Sequence, residues 1–357
     1  TLSSITADIY NRSIAVSYDG ATKAIVADKK MFISLDDGAF NPVLTPIVEH
    51  ILSSVSSEDN NVIYGIDANW QFTKSSDGGA SWSTPYSLST GCSKLPRVRA
   101  SKANNNYVYA FAEETGVGTC TGVGVSTDAL STMTLASVAG NWATEIVFPM
   151  NPSDETNAAI IGAETIIETN DSFSSVSSYT TTTSISTSNH GFDGFISPLD
   201  NSLMYYVSAG SMIEVDSVSQ DKFNITSSLT MSDPAAIEGF SDGSVYVISR
   251  TGQLDYSTNA AGSFVALTSD PGLTTCSARL LKAAAGDPSN VIVTGCNNGS
   301  RVAYTKDGGS TWVEINLTNY TYSASCVIRD MAIKDNTGNY ELYIACKDRN
   351  TLVLKMG

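Results

Sequence analysis

The stretch Ser75-Ser76-Asp77-Gly78-Gly79-Ala80-Ser81-Trp82 decides how this chain folds, because it returns as Thr305-Lys306-Asp307-Gly308-Gly309-Ser310-Thr311-Trp312. Both copies place a carboxylate before two glycines and close on a tryptophan. The carboxylate can accept backbone N–H bonds and the glycines can take positive φ, so the pattern predicts a tight turn. We expect the indole to bury apolar surface against the adjoining strands. Structural roles are therefore predicted for Asp77, Trp82, Asp307 and Trp312.

Weaker copies of this turn keep the polar residues but lose the glycine pair or the tryptophan. They are Ser34-Leu35-Asp36-Asp37-Gly38, Ser126-Thr127-Asp128, Thr169-Asn170-Asp171 and Ser257-Thr258-Asn259, the last ending at Ser263-Phe264. The copies recur at intervals of about one β-propeller blade, so the sequence predicts a repeat protein.

Short apolar runs accompany the turns and predict strands that are covered on both faces, as in blades that pack face to face. The expected second strands of the blades are Lys23 to Val26, Val62 to Ala68, Tyr107 to Ala112, Ala158 to Ala163, Met204 to Ala209, Val245 to Ser249, Val291 to Thr294 and Leu342 to Ala345. The predicted fold class is all-β, a single β-propeller domain over 1–357 with four antiparallel strands in each blade.

The two ends of the chain bear on the number of blades. After Tyr340 to Cys346 only the strand Thr351 to Lys355 follows, which leaves the last blade with three strands. The segment Ser3 to Ile9 would supply the fourth strand and close the ring. We therefore expect eight blades of about 45 residues. Seven blades are the alternative, with the N-terminal segment as an extension.

The pattern Ser/Thr-x-Asp-x-Gly-x-Ser/Thr-Trp resembles the Asp box, or BNR repeat, of sialidases, sortilin-type receptors and xyloglucan-cleaving glycosidases. The resemblance covers most of the chain as a repeat and implies a β-propeller. It does not extend to an active site, because the Phe-Arg-Ile-Pro motif of such sialidases is absent and no tyrosine stands in a matching sequence context.

The cysteines are spaced as disulfide pairs. The interval from Cys276 to Cys296 equals that from Cys326 to Cys346, and each pair brackets a turn. In an antiparallel hairpin the first residue of one strand faces the last residue of the next. Three disulfides within blades are therefore predicted: Cys92 with Cys120, Cys276 with Cys296, and Cys326 with Cys346.

This use of cysteine predicts the location of the protein. A zinc site is the weaker interpretation, because there is no Cys-x-x-Cys motif and His50 and His190 are the only histidines. We accordingly predict no metal site and expect a secreted protein in an oxidising, extracellular environment.

Asn-x-Ser/Thr sequons are the candidate N-glycosylation sites of a secreted glycoprotein. They lie at Asn11, Asn170, Asn224, Asn298, Asn316 and Asn319. The stretch Ser172 to Ser188 is almost entirely Ser and Thr, and two interpretations stay open for it: O-linked sugar, or an exposed outer strand with its connection.

The net charge of −16 argues against nucleic acid and anionic membranes as partners, because no basic stripe is present to replace counterions. No apolar run approaches the roughly 20 residues that span a bilayer, so no membrane insertion is expected. Glycine-rich pieces such as Gly116-Val117-Gly118 lack the lysine of a phosphate loop, and we predict no cofactor.

One set of charged residues recurs near the expected innermost strands, at intervals close to one blade. Its members are Arg12, Glu49, Arg97, Glu145, Asp193, Glu238, Arg279 and Arg329. Because innermost strands line the channel of a propeller, we expect these side chains to form a ring at its mouth.

Two interpretations of the ring remain open. In the first, the charges pair with one another or with water. In the second they bind a glycan or an anionic ligand, because converging arginines hold a carboxylate through paired N–H donors. The ligand-binding candidates are Arg12, Arg279, Arg329, Arg97 and Glu49. A glycoside hydrolase would use two carboxylates roughly 5 to 10 Å apart. Its candidates are Asp193, Glu145 and Glu238.

The sequence thus predicts a non-catalytic extracellular module, structural or binding, whose partners are glycans or other extracellular proteins. The alternative is a glycoside hydrolase of the Asp-box type. If the N-terminal strand closes a neighbour's ring instead of its own, homo-oligomers such as filaments or surface layers form by strand exchange, while self-closure gives a monomer.

Overall fold

The computed structural model describes residues 13–16, 23–27, 30–34, 41–43, 48–52, 62–67, 71–84, 96–100, 106–112, 122–137, 143–147, 158–162, 165–169, 171, 177–180, 194–208, 210–216, 221–240, 242–267, 273, 279–284, 287, 290–296, 299–320, 327–336, 338–347 and 352–356. These residues are mainly β-strands and the turns that connect them. Their helices are two single turns of 3-10 helix, Thr226–Ser228 and Leu317–Tyr320.

The strands of the first half form four antiparallel sheets, each made of consecutive strands. Sheet 1 contains β1 (Ser13–Val16), β2 (Lys23–Ala27), β3 (Lys30–Ser34) and β4 (Asn41–Val43). Sheet 2 contains β5 (Val48–Leu52), β6 (Ile63–Asp67) and β7 (Phe72–Ser75). Sheet 3 contains β8 (Pro96–Ala100), β9 (Val108–Ala112), β10 (Gly122–Ser126) and β11 (Thr134–Ser137). Sheet 4 contains β12 (Ala143–Val147), β13 (Ala158–Gly162), β14 (Thr165–Thr169) and β15 (Ser177–Thr180).

The second half continues in the same way. Sheet 5 contains β16 (Gly194–Ile196), β17 (Leu203–Ser208), β18 (Ser211–Asp216) and β19 (Asp221–Asn224). Sheet 6 contains β20 (Pro234–Gly239), β21 (Val245–Ser249), β22 (Leu254–Ser257) and β23 (Val265–Ala266). Sheet 7 contains β24 (Arg279–Ala283), β25 (Ile292–Cys296), β26 (Arg301–Thr305) and β27 (Val313–Asn316). Sheet 8 contains β28 (Val327–Asn336), β29 (Asn339–Lys347) and β30 (Leu352–Met356).

The predicted second strands are confirmed. Each apolar run overlaps a strand that stands second in its sheet, namely β2, β6, β9, β13, β17, β21, β25 and β29. Sheet 8 has three strands in the described part of the chain, as expected for the last unit. The segment Ser3 to Ile9, predicted to add a strand to it, lies outside the described residues.

The residues group into two compact units. The first contains Thr1–Ile146, Pro152–Ser178 and Arg329–Gly357. Within it, β1 packs against both β5 and β29, so the first sheet contacts strands of sheets 2 and 8. A buried cluster between sheets 2 and 3 joins Tyr64 and Phe72 to Val108 and Leu130.

The second unit contains Val147–Asn151 and Tyr179–Ile328. Strand β21 shows how its sheets pack, because successive side chains of a strand point to opposite faces. Val245 and Val247 join a buried cluster with Tyr205 of sheet 5, while Ile248 joins another with Leu281 of sheet 7. All five residues of β21 are buried, which explains why the first four, Val245 to Ile248, are hydrophobic.

Candidate functional site: polar turns and charged first strands

The carboxylate of Asp307 accepts hydrogen bonds from residues of its own turn. The Asp307 Oδ1 atom accepts from the Thr311 N–H at 2.8 Å and from the Thr305 hydroxyl at 2.8 Å, and Oδ2 accepts from the Thr311 hydroxyl at 2.6 Å. The Gly309 N–H donates to Thr305 Oγ1 at 2.9 Å. Thr305 is the last residue of β26, so the turn begins where the third strand of sheet 7 ends.

The turn at Asp77 repeats this geometry. Its carboxylate accepts from Ser75, from the Ser81 N–H and from the Ser81 hydroxyl at 2.8, 2.8 and 2.6 Å. The indole Nε1–H of Trp82 donates to the Gly79 carbonyl at 3.2 Å and so folds the ring back over the turn. The structural role predicted for the tryptophan rests here on both the hydrogen bond and the half-buried ring.

Two of the weaker copies form the same turn although their glycines are lost. Asp128 accepts from the Thr132 N–H at 2.8 Å and from the Ser126 hydroxyl at 2.9 Å. At the fourth copy Asn259 Oδ1 accepts from the Ser257 hydroxyl at 2.7 Å and from the Ser263 N–H at 2.9 Å. The amide oxygen of asparagine therefore replaces a carboxylate oxygen.

All four of these turns contain two successive residues of positive φ. The glycine turns have φ of 66° and 90° at Gly78 and Gly79, and of 65° and 85° at Gly308 and Gly309. The other two hold ordinary side chains in the same conformation: φ is 57° and 65° at Ala129 and Leu130, and 51° and 74° at Ala260 and Ala261. Because the left-handed region disfavours a Cβ atom, the surrounding structure must compensate for this strain.

A backbone hydrogen bond stabilises this conformation. It joins the turn to the connection that follows the first strand of the same sheet. The Gly308 N–H donates to the Asn290 carbonyl at 3.0 Å, and the Ala260 N–H donates to the Gly243 carbonyl at 2.9 Å. The Ala129 N–H likewise donates to the Asn106 carbonyl at 2.9 Å. The turn thus fixes two connections at one end of the sheet.

In the two turns that lack tryptophan, an apolar residue stands at the equivalent position. Phe264 takes it in sheet 6 and Met133 in sheet 3, both buried. Each packs in a cluster with the preceding sheet, as Trp312 does against sheet 6. The sequence pattern missed Met133, because the spacing Asp128 to Thr132 to Met133 matches the repeat only once Thr132 is known to bind Asp128.

The electrostatics of the turns follow from these hydrogen bonds. The Ser81 hydroxyl and N–H, together with Ser75, lower the pKa of Asp77 to about 2. The Thr311 hydroxyl and N–H do the same for Asp307, whose pKa is also lowered to about 2. At Asp128 burial acts to raise the pKa, but the bonds from Thr132 and Ser126 outweigh it and the net shift is downward. These carboxylates are stabilised as anions by hydrogen bonds from their own turns.

The charged residues predicted to line a ring lie on first strands wherever the structure describes them. Glu49 is in β5, Arg97 in β8, Glu145 in β12, Glu238 in β20, Arg279 in β24 and Arg329 in β28. Arg12 and Asp193 lie outside the described residues, and Glu238 is the member whose side-chain contacts are described.

The side chain of Glu238 forms an ion pair between two first strands. Its Oε2 atom lies 3.2 Å from Nζ of Lys282 in β24, and the exposed fractions are 17% for Glu238 and 32% for Lys282. Lys282 was not among the predicted residues. The sequence does not single out this lysine, because its position relative to Glu238 depends on the hydrogen-bonded register of the strands.

That register corrects the predicted ring. Glu238 pairs with Tyr246, one residue after the start of β21, and Lys282 pairs with Val293, one residue after the start of β25. Glu238 is therefore level with Lys282, while Arg279 opposes Cys296 at the other end of β24. Glu238 and Arg279, which the chain interval places near the same point of their blades, therefore lie at different levels of their first strands.

The cysteines are described in part. Cys296 at the end of β25 and Cys346 in β29 are both buried, and each is disulfide-bonded. Cys92, Cys120, Cys276 and Cys326 lie outside the described residues, so the predicted pairing stays a prediction.

The sequons fall in three places. Asn224 and Asn316 are the last residues of β19 and β27, the outermost strands of sheets 5 and 7. Asn319 lies in the second 3-10 helix. Asn11, Asn170 and Asn298 lie outside the described residues.

In the described residues no group of three or more His, Cys, Asp or Glu side chains is placed to hold a metal ion. In the same residues no helix has the length and apolar character needed to cross a membrane.

Comparison of the chain with protein-family models gives no match, and comparison with curated proteins gives none either. Solved structures do resemble it. YCF48 bound to D1 peptide matches with a TM-score of 0.57 and 13% identity, over 100% of this chain and 95% of that one. BamB from Moraxella catarrhalis matches with a TM-score of 0.60 and 11% identity, over 100% of both chains.

A third similar structure is an ancestral GH74 enzyme, with a TM-score of 0.55 and 11% identity over 96% of this chain and 58% of the enzyme. These neighbours are β-propellers. At such low identity they establish the fold alone. With the antiparallel sheets and the near absence of helix, they identify the chain as a β-propeller.

Proposed function

We propose that this protein is a non-catalytic β-propeller that acts outside the cell as a binding module for a protein segment or a glycan. The observation that carries the proposal is the use of these carboxylates within the fold: the aspartates of the repeated turns accept hydrogen bonds from their own turns, and Glu238 pairs with Lys282.

A glycoside hydrolase needs two carboxylates free to flank a glycosidic bond. The turn carboxylates do not meet this requirement, because Asp77 and Asp307 each accept three hydrogen bonds from their own turn. Glu238 is the member of the candidate catalytic set whose side-chain contacts are described, and its charge is compensated by Lys282 at 3.2 Å. These contacts favour a structural role for the acidic residues.

The class of partner is proposed from charge and from the structural neighbours. A net charge of −16 favours neutral or basic partners over anionic polymers. One neighbour, YCF48, is described as bound to a D1 peptide, so a β-propeller is able to bind a peptide. We extend that mode of binding to this chain, with glycans as the second class of partner.

Secretion is proposed from the cysteines. Disulfides persist in oxidising compartments, and the disulfide-bonded state of Cys296 and Cys346 supports such a location. We also propose that 1–357 form one propeller of eight blades, that its polar turns are Asp boxes, and that Ser3 to Ile9 closes the ring. Light scattering on a chain lacking residues 1–10 tests the exchange of this strand between subunits, because loss of an oligomer would reveal it.

Two assays on the purified chain test the proposed function. The first measures release of reducing ends from a panel of polysaccharides, and the second measures binding to immobilised peptides and to the same polysaccharides. We expect binding without release. The comparison is between Glu238→Gln and Glu314→Gln, since Glu314 pairs with Arg301 at the exposed edge of sheet 7. Release of reducing ends that Glu238→Gln abolishes and Glu314→Gln preserves would establish the hydrolase instead.

A further inference from the structure

The segment Asn316-Leu317-Thr318 lies where β27 ends and the second 3-10 helix begins. The Thr318 N–H donates to Asn316 Oδ1 at 3.1 Å, and the Thr318 hydroxyl donates to the same oxygen at 2.7 Å. The fold therefore uses the oxygen of the Asn316 amide. Its nitrogen, Nδ2, forms no hydrogen bond with the described part of the chain.

Asn316 is itself half-buried, but it lies among exposed residues at a sheet edge. β27 is the edge strand of sheet 7, and Val313, Glu314 and Thr318 are all exposed. Leu317 is 2% exposed, so its buried side chain fixes the segment to the fold. A group attached to Nδ2 would leave the Oδ1 contacts and the buried Leu317 unchanged.

The sequon at Asn224 provides an internal comparison, because it occupies the corresponding place at the end of β19 before the first 3-10 helix. There the Thr226 N–H donates to Asn224 Oδ1 at 3.0 Å. The Thr226 hydroxyl, however, accepts from the Met212 N–H at 2.9 Å. The fold itself thus requires a hydroxyl at Thr226.

Thr318 differs in this respect. It is exposed, and in the described residues its hydroxyl contacts Asn316 alone. The fold gives no separate reason for a hydroxyl-bearing residue at this position. A transferase that recognises Asn-x-Thr does give one, because it requires the hydroxyl two residues after the acceptor.

We propose that Asn316 carries an N-linked glycan, and that the Asn224 sequon is a structural turn. The inference rests on the extracellular location proposed above. The co-substrate is a lipid-diphosphate-linked oligosaccharide. Nδ2 attacks the anomeric carbon, a C–N bond forms as the bond between that carbon and the diphosphate oxygen breaks, and the lipid diphosphate leaves with the electron pair. Nδ2 gives up one proton to a base of the transferase and keeps the other.

The test is site-specific glycopeptide mass spectrometry on the full chain produced in a eukaryotic secretory host. Asn319-Tyr320-Thr321 is a directly adjacent sequon, so the measurement is made in an Asn319→Gln background. Enzymatic release of N-glycans in heavy-oxygen water then marks each occupied asparagine as a labelled aspartate. We expect the label at Asn316. Thr318→Ala should remove it and Thr318→Ser should retain it, with the same near-ultraviolet circular dichroism in all variants.

An unlabelled Asn316 in folded protein from the medium would overturn the inference and leave the proposed extracellular function standing. Label at Asn224 in place of Asn316 would overturn it as well. If the chain fails to reach the medium, protein from the lumen of the secretory pathway is analysed in the same way. Occupancy of Asn316 is then decided separately from secretion, whose failure would count against the proposed function.

Discussion

Glu238 Oε2 lies 3.2 Å from Lys282 Nζ, and this ion pair joins the first strands of two consecutive sheets. The two residues stand at equivalent levels, as the pairing of β20 with β21 and of β24 with β25 shows. Sheets 6 and 7 are otherwise held together by an apolar cluster around Tyr246 and Leu281. The pair places complementary charges at the edge of that cluster, where they favour one register of the two sheets.

A double-mutant cycle measures this coupling. Because both side chains are partly exposed, Glu238→Gln and Lys282→Met should show a coupling energy of about 0.5 to 1 kcal/mol, the upper part of the range for solvent-exposed pairs. The readout is the free energy of unfolding in urea. The more exposed pair of Arg301 and Glu314 should give a smaller value. Strict additivity at Glu238 and Lys282 would contradict the prediction.

The buried hydroxyl of Thr305 should be needed for stability. It donates to Asp307 and accepts from the Gly309 N–H, and Thr305 is 1% exposed. Thr305→Val keeps the shape but leaves that N–H unsatisfied, so we expect a loss of about 1 to 3 kcal/mol in chemical denaturation. Thr305→Ser is the control, since it keeps the hydroxyl. Equal losses in both variants would assign the effect to packing.

Stability should fall in acid because of the turns. Folding lowers the pKa of Asp77 and Asp307 to about 2, below the value of about 3.9 in an unfolded chain. Their contribution is therefore fully present above about pH 4 and is lost as the pH falls toward 2. The experiment is urea unfolding at several pH values. Asp307→Asn should flatten the curve in this window, because Asn259 shows that an amide oxygen can form the turn. An unchanged slope would contradict the prediction.

The glycine turns and the alanine turn should respond in opposite directions to exchange of their residues. Gly309 has φ of 85°, so Gly309→Ala should cost about 1 to 2 kcal/mol. Its new Cβ would also lie 2.8 Å from Leu267 Cδ1, a contact that a small movement of Leu267 relieves. Ala261, at the equivalent position with φ of 74°, should lose nothing or gain stability on change to Gly. Gly338→Ala, with open space around the new Cβ, isolates the backbone cost.

The predicted disulfide between Cys276 and Cys296 can be tested by peptide mapping without reduction. We expect the two peptides to be linked, and Cys276→Ser to lower stability by about 3 kcal/mol, the value for a loop of this length. Reduction should then affect this variant less than the natural protein. A linkage of Cys296 to any other cysteine would refute the pairing.

The repeated turn can be predicted from the sequence alone. The octapeptide at Ser75 and its return at Thr305 define a turn by local chemistry alone, because hydroxyl, carboxylate and glycine lie within a few residues of one another. The apolar runs were equally informative. A strand such as Val245–Ser249 is covered on both faces and is therefore mostly hydrophobic, so the sequence alone predicts it.

Tertiary structure decided what depends on residues distant in the chain. The register of β20 and β24, not the chain interval, brings Lys282 to Glu238 and separates Arg279 from it. Likewise Ala260 and Ala261 both have positive φ. The Ala260 N–H donates to the Gly243 carbonyl and Ala261 packs in a buried cluster, and their own sequence does not predict these contacts. The hydrogen bonds of a turn join residues that are close in the sequence, so the sequence predicts them. The partner of a charged residue such as Glu238 depends on how two sheets align, so the sequence does not predict it.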